Sequence, residues 1–171
     1  HSTTPNLQLG LLRRLLGDQI RTVSRKNLVK GRKFSEMLND ALTRYTNRSL
    51  TTAEIIAELV SLAKDMRADR ERAQQLGLSE AEIALYDAII QNDSAILEMG
   101  DETLKTIARE LVATIRSSAT LDWTVKESVR ARMRSRIKRL LAKYKYPPDK
   151  REQAVQLVIK QAEHLATGEQ D

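Results

Sequence analysis

The spacing of apolar residues is the feature of this chain that most restricts its fold. Apolar side chains recur every three or four residues in segment after segment, and only three prolines occur in 171 residues. This spacing puts apolar side chains on one face of an α-helix, whereas a half-buried strand alternates apolar and polar residues. The pattern predicts an all-α protein, an irregular helical bundle of about seven helices.

The ends of several helices are marked by specific residues. Three pairs match the capping box, in which a Ser or Thr hydroxyl and a Glu carboxylate three positions later each bond to the other's backbone amide. These pairs are Thr51 with Glu54, Ser79 with Glu82, and Thr124 with Glu127. Gly77 is a suitable C-terminal stop, and Pro147 and Pro148 end the helix before them. The second helix is expected from about Lys26 to Asn47, and another break near Gly100.

Length and composition suit one globular domain, with 41% hydrophobic and 30% charged residues. We interpret residues 1–4 as an expression remnant or a linker and residues 5–171 as a single helical domain. Two lobes, about 5–120 and 121–171, are the alternative. The chain has no cysteine, so it has neither disulfides nor thiolate metal sites. No apolar stretch approaches the roughly 20 residues of a membrane span, and we expect a cytoplasmic protein.

Charge is unevenly distributed along the chain. Residues 1–49 carry a net charge of +7, residues 50–119 carry −6, and residues 120–171 carry +5. Two basic segments therefore flank an acidic one, in which Asp87 and Asp101 are two of thirteen acids. A distribution of this kind bears on binding partners more than on the fold.

The most basic segment is the helix predicted to start at Thr124. Its candidate residues for DNA or partner binding are Lys126, Arg130, Arg132, Arg134, Arg136, Lys138, Arg139 and Lys143. Glu127 is the only acid among them, so neighbours on the same helix cannot pair most of these charges. Three interpretations stay open: neutralisation by acids elsewhere in the fold, contact with duplex DNA phosphates, and contact with an acidic protein surface. An aromatic content of 4% disfavours stacking on unpaired bases.

No residue pattern predicts a catalytic or metal site. His164 has no second His or Cys nearby in sequence, and a surface or capping role suits it better than metal binding. Gly31 lies in a basic stretch without the glycine spacing of a phosphate loop. The acidic pairs Glu54 with Glu58 and Asp65 with Asp69 are typical of solvated helix faces. Trp123, the sole tryptophan, is expected to anchor the entry to the basic helix, or alternatively to anchor an interface.

Several stretches resemble the C-terminal helical region of type I restriction enzyme R subunits. They are RKFSEMLNDALTRYTNRSLTTAEIIAELVSLAKDMR from Arg32, GLSEAEIALYDAI from Gly77, IARELVATIR around Arg109, and DWTVKESVRARMRSRIKRLLAKYKYPPDK from Asp122. They cover nearly the whole chain in the family's order. Lys145 departs from the pattern, because the family often has a small residue before Tyr-Pro-Pro.

The resemblance implies a role in a larger machine, one that uses ATP and Mg²⁺ to pull duplex DNA past a methyltransferase and cuts it far from the recognition site. In the family the nuclease and motor domains precede this region, and their motifs do not occur here. The implied role is a non-catalytic, cofactor-free assembly module. Its expected partners are the methyltransferase core (the modification and specificity subunits) and the rest of the R subunit. The alternative is a module that binds the duplex-DNA backbone and guides it near the motor. A third hypothesis is an independent nucleotide-binding or hydrolytic site among the acidic helices.

Overall fold

The computed structural model describes residues 5–91, 93–117 and 127–169, and confirms the all-α fold. Eight α-helices lie within these residues: α1 Pro5–Lys26, α2 Leu28–Thr46, α3 Thr52–Leu76, α4 Glu80–Ile89, α5 Asp93–Met99, α6 Asp101–Ser117, α7 Glu127–Lys143 and α8 Arg151–Glu169. A 3₁₀ turn, Pro148–Lys150, precedes α8. The short helix α5 is the one that the apolar pattern does not predict. None of the described helices is long and apolar enough to cross a bilayer.

The helix ends follow the capping signals. In the first capping box the Thr51 amide donates to Glu54 Oε1 at 2.9 Å and the Glu54 amide donates to Thr51 Oγ1 at 3.1 Å. The Ser79 and Glu82 pair repeats this arrangement at 2.8 and 3.2 Å. Gly77 ends α3 in the left-handed region, with φ of 71°. Two of the three predicted capping boxes are thus confirmed, and Thr124 of the third lies outside the described residues.

The end of α7 shows why a small residue often stands where this chain has Lys145. The helix ends at Lys143, four residues before Pro147, and Lys145 adopts a left-handed φ of 61°. The Tyr146 amide then donates to the Leu141 carbonyl at 2.9 Å, a Schellman turn that suits a glycine better than a lysine. Tyr146 itself is fully buried, and its hydroxyl donates to the Ile89 carbonyl at 2.6 Å. The turn and the Tyr146 hydrogen bond therefore hold the end of α7 against α4.

Buried apolar side chains form two clusters. The N-terminal cluster joins α1, α2 and α3 through residues such as Leu16, Phe34 and Leu59. The C-terminal cluster joins α4, α6, α7 and α8, with Ile107 and Ile137 among its fully buried members. Helices on both sides of residue 120 thus share one cluster. The alternative of two lobes that divide near residue 120 stays a prediction.

A polar contact to α8 occurs where α1 gives way to α2. Asn27 interrupts the helix and caps α2, since its side chain accepts from the Lys30 amide at 3.0 Å. The interruption leaves nearby backbone groups without helical partners. The Gln161 side chain of α8 supplies two bonds, donating to the Lys26 carbonyl at 2.9 Å and accepting from the Leu28 amide at 2.8 Å. His164 Nε2 binds the Ser24 carbonyl in the last turn of α1.

A buried carboxylate completes this contact from the other side. Asp87 of α4 has no solvent exposure, accepts from Asn27 Nδ2 at 2.8 Å, and accepts from Arg72 Nη2 at 2.7 Å on both oxygens. Burial alone would lower the pKa of the Arg72 guanidinium, but the hydrogen bond and charge of Asp87 outweigh burial and raise it. We name Asn27, Arg72, Asp87, Gln161 and His164 the polar junction. It connects α1, α2, α3, α4 and α8, and so joins the two clusters.

A second polar contact fixes α4 against α6. The Tyr86 hydroxyl donates to Asp101 Oδ1 at 2.5 Å, just after the predicted break at Gly100. Burial, followed by this hydrogen bond, raises the pKa of Tyr86 to about 12. The same hydrogen bond holds the pKa of the Asp101 carboxyl below its usual range. Both groups therefore keep their bonded protonation states at neutral pH.

The helices α1 and α2 approach closely at Gly31, which is buried within α2. A Cβ atom at this position would lie 2.7 Å from Ser24 Cα and 2.2 Å from Ser24 Oγ. Because the clash involves backbone, a side-chain rotation cannot relieve it. Gly31 is thus a packing residue inside a helix.

We predict opposite effects of alanine at two helical glycines. Gly31→Ala should lower the free energy of unfolding by about 1–3 kcal/mol, because the added methyl group overpacks the α1–α2 contact. Gly17→Ala should raise it by about 0.5–1 kcal/mol, because alanine has the higher helix propensity and its Cβ would meet only Arg21 Nη1, at 3.8 Å. Urea denaturation of the 171-residue chain measures both. Equal effects of the two substitutions would contradict the close approach at Gly31.

Candidate interaction surface

Helix α7 has one apolar face and one cationic face. Met133, Ile137 and Leu141 are buried in the C-terminal cluster. Four exposed cations lie on the opposite side of the helix at spacings of three and four residues: Arg132, Arg136, Arg139 and Lys143. We name these four residues the outer ridge. Its backbone is held rigidly, because the other face of the same helix is anchored in the core.

Two further cations of α7 are neutralised by acids of α8. Arg130 Nη2 lies 2.6 Å from Glu163 Oε1, and Lys138 Nζ lies 3.1 Å from Glu152 Oε2. Of the three interpretations of the basic helix, neutralisation within the fold therefore applies to Arg130 and Lys138. These ion pairs also tie α7 to α8 at two points along the helix.

Lys143 has weaker contacts. Its Nζ lies 3.9 Å from Glu110 Oε1 of α6 and 5.3 Å from the centre of the Tyr144 ring. A hydrogen bond to Glu110 raises the pKa of the Tyr144 phenol. An exposed ion pair at this distance contributes little to stability, so most of the Lys143 charge stays accessible.

Three of the remaining arginines of the helix have no acid partner among the described residues. Arg132, Arg134 and Arg139 form no ion pair with any described residue, and Arg132 and Arg139 are exposed. Arg139 also borders an open cleft of about 410 Å³ between α7 and the start of α8. Arg136 is exposed and has a contact of its own. Arg132 and Arg139 are thus the cations of the outer ridge best placed to meet a partner.

Two candidates from the sequence, Trp123 and Lys126, lie outside the described residues. Their roles as an interface anchor and as a binding cation stay predictions. Among the described residues there is no group of three or more metal-ligating side chains.

The acidic pairs considered for chemistry make structural contacts. Glu54 belongs to the first capping box, whose Thr51 backbone amide lowers the pKa of the Glu54 carboxyl. Glu58 accepts from Arg44 Nη1 at 2.7 Å, and Asp69 Oδ1 lies 3.4 Å from Lys30 Nζ and 3.3 Å from Arg72 Nε. Glu58 and Asp69 thus connect α3 to cations of α2, and Glu54 is engaged in the cap of α3.

The sequence predicts neither the burial of Asp87 nor the two hydrogen bonds of Gln161 to the break between α1 and α2. The charge pattern groups Asp87 with the acids of the middle segment, which are expected to be solvated or to neutralise the basic segments. A signal is present, because Asp87 stands inside an apolar run from Ile83 to Ile90. An acid within such a run is buried only when a cation or hydrogen-bond donor meets it.

We predict that replacing a paired cation of α7 lowers the stability of the chain, whereas replacing an unpaired one does not. Arg130→Gln should lower the free energy of unfolding by about 0.5–1 kcal/mol, because its ion pair with Glu163 at a half-buried site is lost. Arg132→Gln should change it by less than about 0.3 kcal/mol, and 1 M salt should shrink the Arg130 effect. Urea denaturation at two salt concentrations measures both. A larger loss for Arg132→Gln would contradict the assignment.

Comparison with known proteins identifies the family of the chain. A family model described as "Type I restriction enzyme HindI endonuclease subunit-like, C-terminal" matches residues 1–168. The type I restriction enzyme HindI endonuclease subunit of Haemophilus influenzae is 45% identical over 166 residues, which are 97% of this chain and 16% of that protein. A putative type I restriction enzyme MjaIXP endonuclease subunit of Methanocaldococcus jannaschii is 35% identical over 136 residues, 78% of this chain and 13% of that protein. No solved structure matches.

The match covers almost the whole chain but only a small part of each relative. The chain spans about one sixth of the length of the HindI subunit, and the matched family is a C-terminal one. The resemblance noted in the sequence is therefore confirmed. The chain belongs to the family of type I restriction enzyme endonuclease (R) subunits, and corresponds to their C-terminal region.

Proposed function

We propose that this chain is a non-catalytic assembly module, which docks an ATP-dependent, DNA-translocating endonuclease subunit onto the methyltransferase core of its restriction system. The contact is made by the outer ridge of α7. The partners are the modification and specificity subunits, in the cytoplasm. ATP and Mg²⁺ are used elsewhere in the parent subunit, and this module needs no cofactor.

The observation that best supports this proposal is the row of cations on the outer ridge. Arg132 and Arg139 are exposed, fixed on a helix with a buried face, and without an acid partner among the described residues. Arginine presents a planar fork that binds carboxylates with two hydrogen bonds. A fixed row of such groups suits an acidic protein surface and speeds the encounter with it.

Family membership supports a protein partner. Each of the two relatives is named an endonuclease subunit, a term that implies an enzyme of several subunits. A non-catalytic role is supported by four carboxylates of α3 and α4 that are engaged in a cap or in ion pairs, namely Glu54, Glu58, Asp69 and Asp87.

Duplex DNA is the second candidate partner of the same ridge. Guanidinium groups bind phosphates as well as carboxylates, and a helix segment from Arg132 to Lys143 is about 16 Å long. Four cations neutralise at most about four phosphates, so log K for binding should fall by no more than about 3.6 per log unit of salt. Such binding would be weak and independent of sequence.

The decisive experiment compares two matched pairs of substitutions. Arg132→Gln with Arg139→Gln removes two charges from the outer ridge. Arg67→Gln with Arg70→Gln removes two charges from α3, where both arginines are exposed and form no ion pair with a described residue. Sedimentation of the 171-residue chain with the methyltransferase core, and separately with a short duplex DNA, measures binding at low and moderate salt.

We expect the unaltered chain and the α3 variant to bind the methyltransferase core at both salt concentrations. The ridge variant should bind about tenfold more weakly, a loss of about 1.4 kcal/mol. Equal affinity of the two variants for the methyltransferase core would contradict docking through α7. The second candidate would be supported instead if the chain bound DNA but not the methyltransferase core, only at low salt, and if the ridge variant lost this binding.

A further inference from the structure

Helix α1 exposes leucines on the side opposite its buried face. Leu7, Leu11 and Leu15 recur every four residues and are 53%, 56% and 51% exposed. Leu16 and Ile20, on the other side of the helix, are buried in the N-terminal cluster. A surface helix normally has one apolar stripe that faces the core and a polar stripe that faces water. The second apolar stripe of α1 therefore needs a covering surface.

An arginine-lined groove runs along another side of α1. It runs between α1 and α2, has a volume of about 510 Å³, and is lined by Gly10, Arg13, Arg14, Gly17, Arg21, Leu38, Asn39 and Leu42. Arg13 and Arg14 form no ion pair with a described residue, whereas Arg21 is paired with Asp18. The glycines contribute no side chain to the groove. Arg14 follows Leu11 by three residues, so the leucine stripe meets the cationic groove along one edge. We name the three leucines together with Arg13 and Arg14 the α1 outer face, which is apolar on one side and cationic on the other.

This composition favours a protein partner over nucleic acid. DNA phosphates would engage Arg13 and Arg14 but would leave the three leucines in water. A protein with an apolar patch and an acidic rim would cover both kinds of side chain. The arrangement thus differs from the outer ridge of α7, which is cationic without neighbouring exposed leucines.

The size of the surface restricts the partner further. Three half-exposed leucines offer roughly 300 Å² of surface, against about 800 Å² per partner in a stable interface between separate proteins. A second copy of this chain would bind poorly through so small a patch. A partner tethered to the same polypeptide would bind well, because a linker supplies an effective concentration of roughly millimolar.

We propose that the α1 outer face docks onto the preceding part of the same endonuclease subunit, which presents an apolar surface with an acidic rim. The relatives support this partner, since the chain matches only 16% and 13% of their lengths and the family is a C-terminal one. Most of the parent subunit therefore comes before α1 in sequence. The proposal rests on family membership and is independent of the role of α7.

Photo-crosslinking in the full-length endonuclease subunit tests this proposal. A benzoylphenylalanine placed at Leu11 probes the α1 outer face. The same group at Leu97 of α5, which is 86% exposed, is the matched control. We expect crosslinks from position 11 to peptides that precede α1 in the same chain, with a yield about tenfold above that from position 97, because the tethered surface is always near. Arg13→Glu with Arg14→Glu should lower the yield about threefold, since two repulsive contacts replace two attractive ones.

Three outcomes would overturn the proposal. A product of twice the subunit mass would indicate a second copy, and a crosslink to a methyltransferase subunit would indicate docking in trans. A yield at position 11 no higher than at position 97 would show that the leucines are solvated. Circular dichroism of both labelled proteins excludes misfolding as the cause. Substitutions that abolish docking through α7 should leave the crosslink unchanged, so each proposal can be contradicted without the other.

Discussion

The hydrogen bonds of Gln161 to the interruption between α1 and α2 are the contact on which the rest of the structure depends. Asn27 breaks the helix, and without Gln161 the Lys26 carbonyl and the Leu28 amide would lose their partners at a part-buried site. Gln161 satisfies both groups with one side chain. Because Asn27 also donates to the buried Asp87, the same break ties α4 to α2. The two apolar clusters are thereby fixed against each other by polar groups of high directional specificity.

The position of the candidate site follows from this junction. Helix α8 carries Gln161 on one side, and its acids Glu152 and Glu163 pair with Lys138 and Arg130 of α7. Pairing with α8 neutralises part of the charge of α7 and leaves the outer ridge to solvent. The α1 outer face arises in a different way, because α1 has more leucines than its contacts with α2 and α3 can bury. The domain therefore offers two surfaces of different chemistry, which suits the proposed contacts with two different partners.

The helices could be predicted well from sequence because their signals are local. Thr51, Ser79 and Gly77 determine helix ends through bonds to residues within one turn. The short α5 escapes prediction because seven residues hold too little periodicity to recognise. The site is predicted only in part. The sequence identifies the basic helix, but which of its cations are neutralised depends on acids of α8. Similarly, the Lys26 carbonyl accepts from Gln161, which is 135 residues away in sequence. No local pattern contains such pairings.

Urea denaturation of Gln161→Leu, compared with Gln156→Leu, tests the central role of the junction most directly. Both glutamines lie on α8, and Gln161 is buried whereas Gln156 is exposed. Gln161→Leu should lower the free energy of unfolding by about 2–4 kcal/mol, because it leaves a carbonyl and an amide without partners away from bulk water. Gln156→Leu should change it by less than about 0.5 kcal/mol. Similar stabilities of the two variants would show that apolar packing alone holds the two clusters together, and would contradict a central role for the junction.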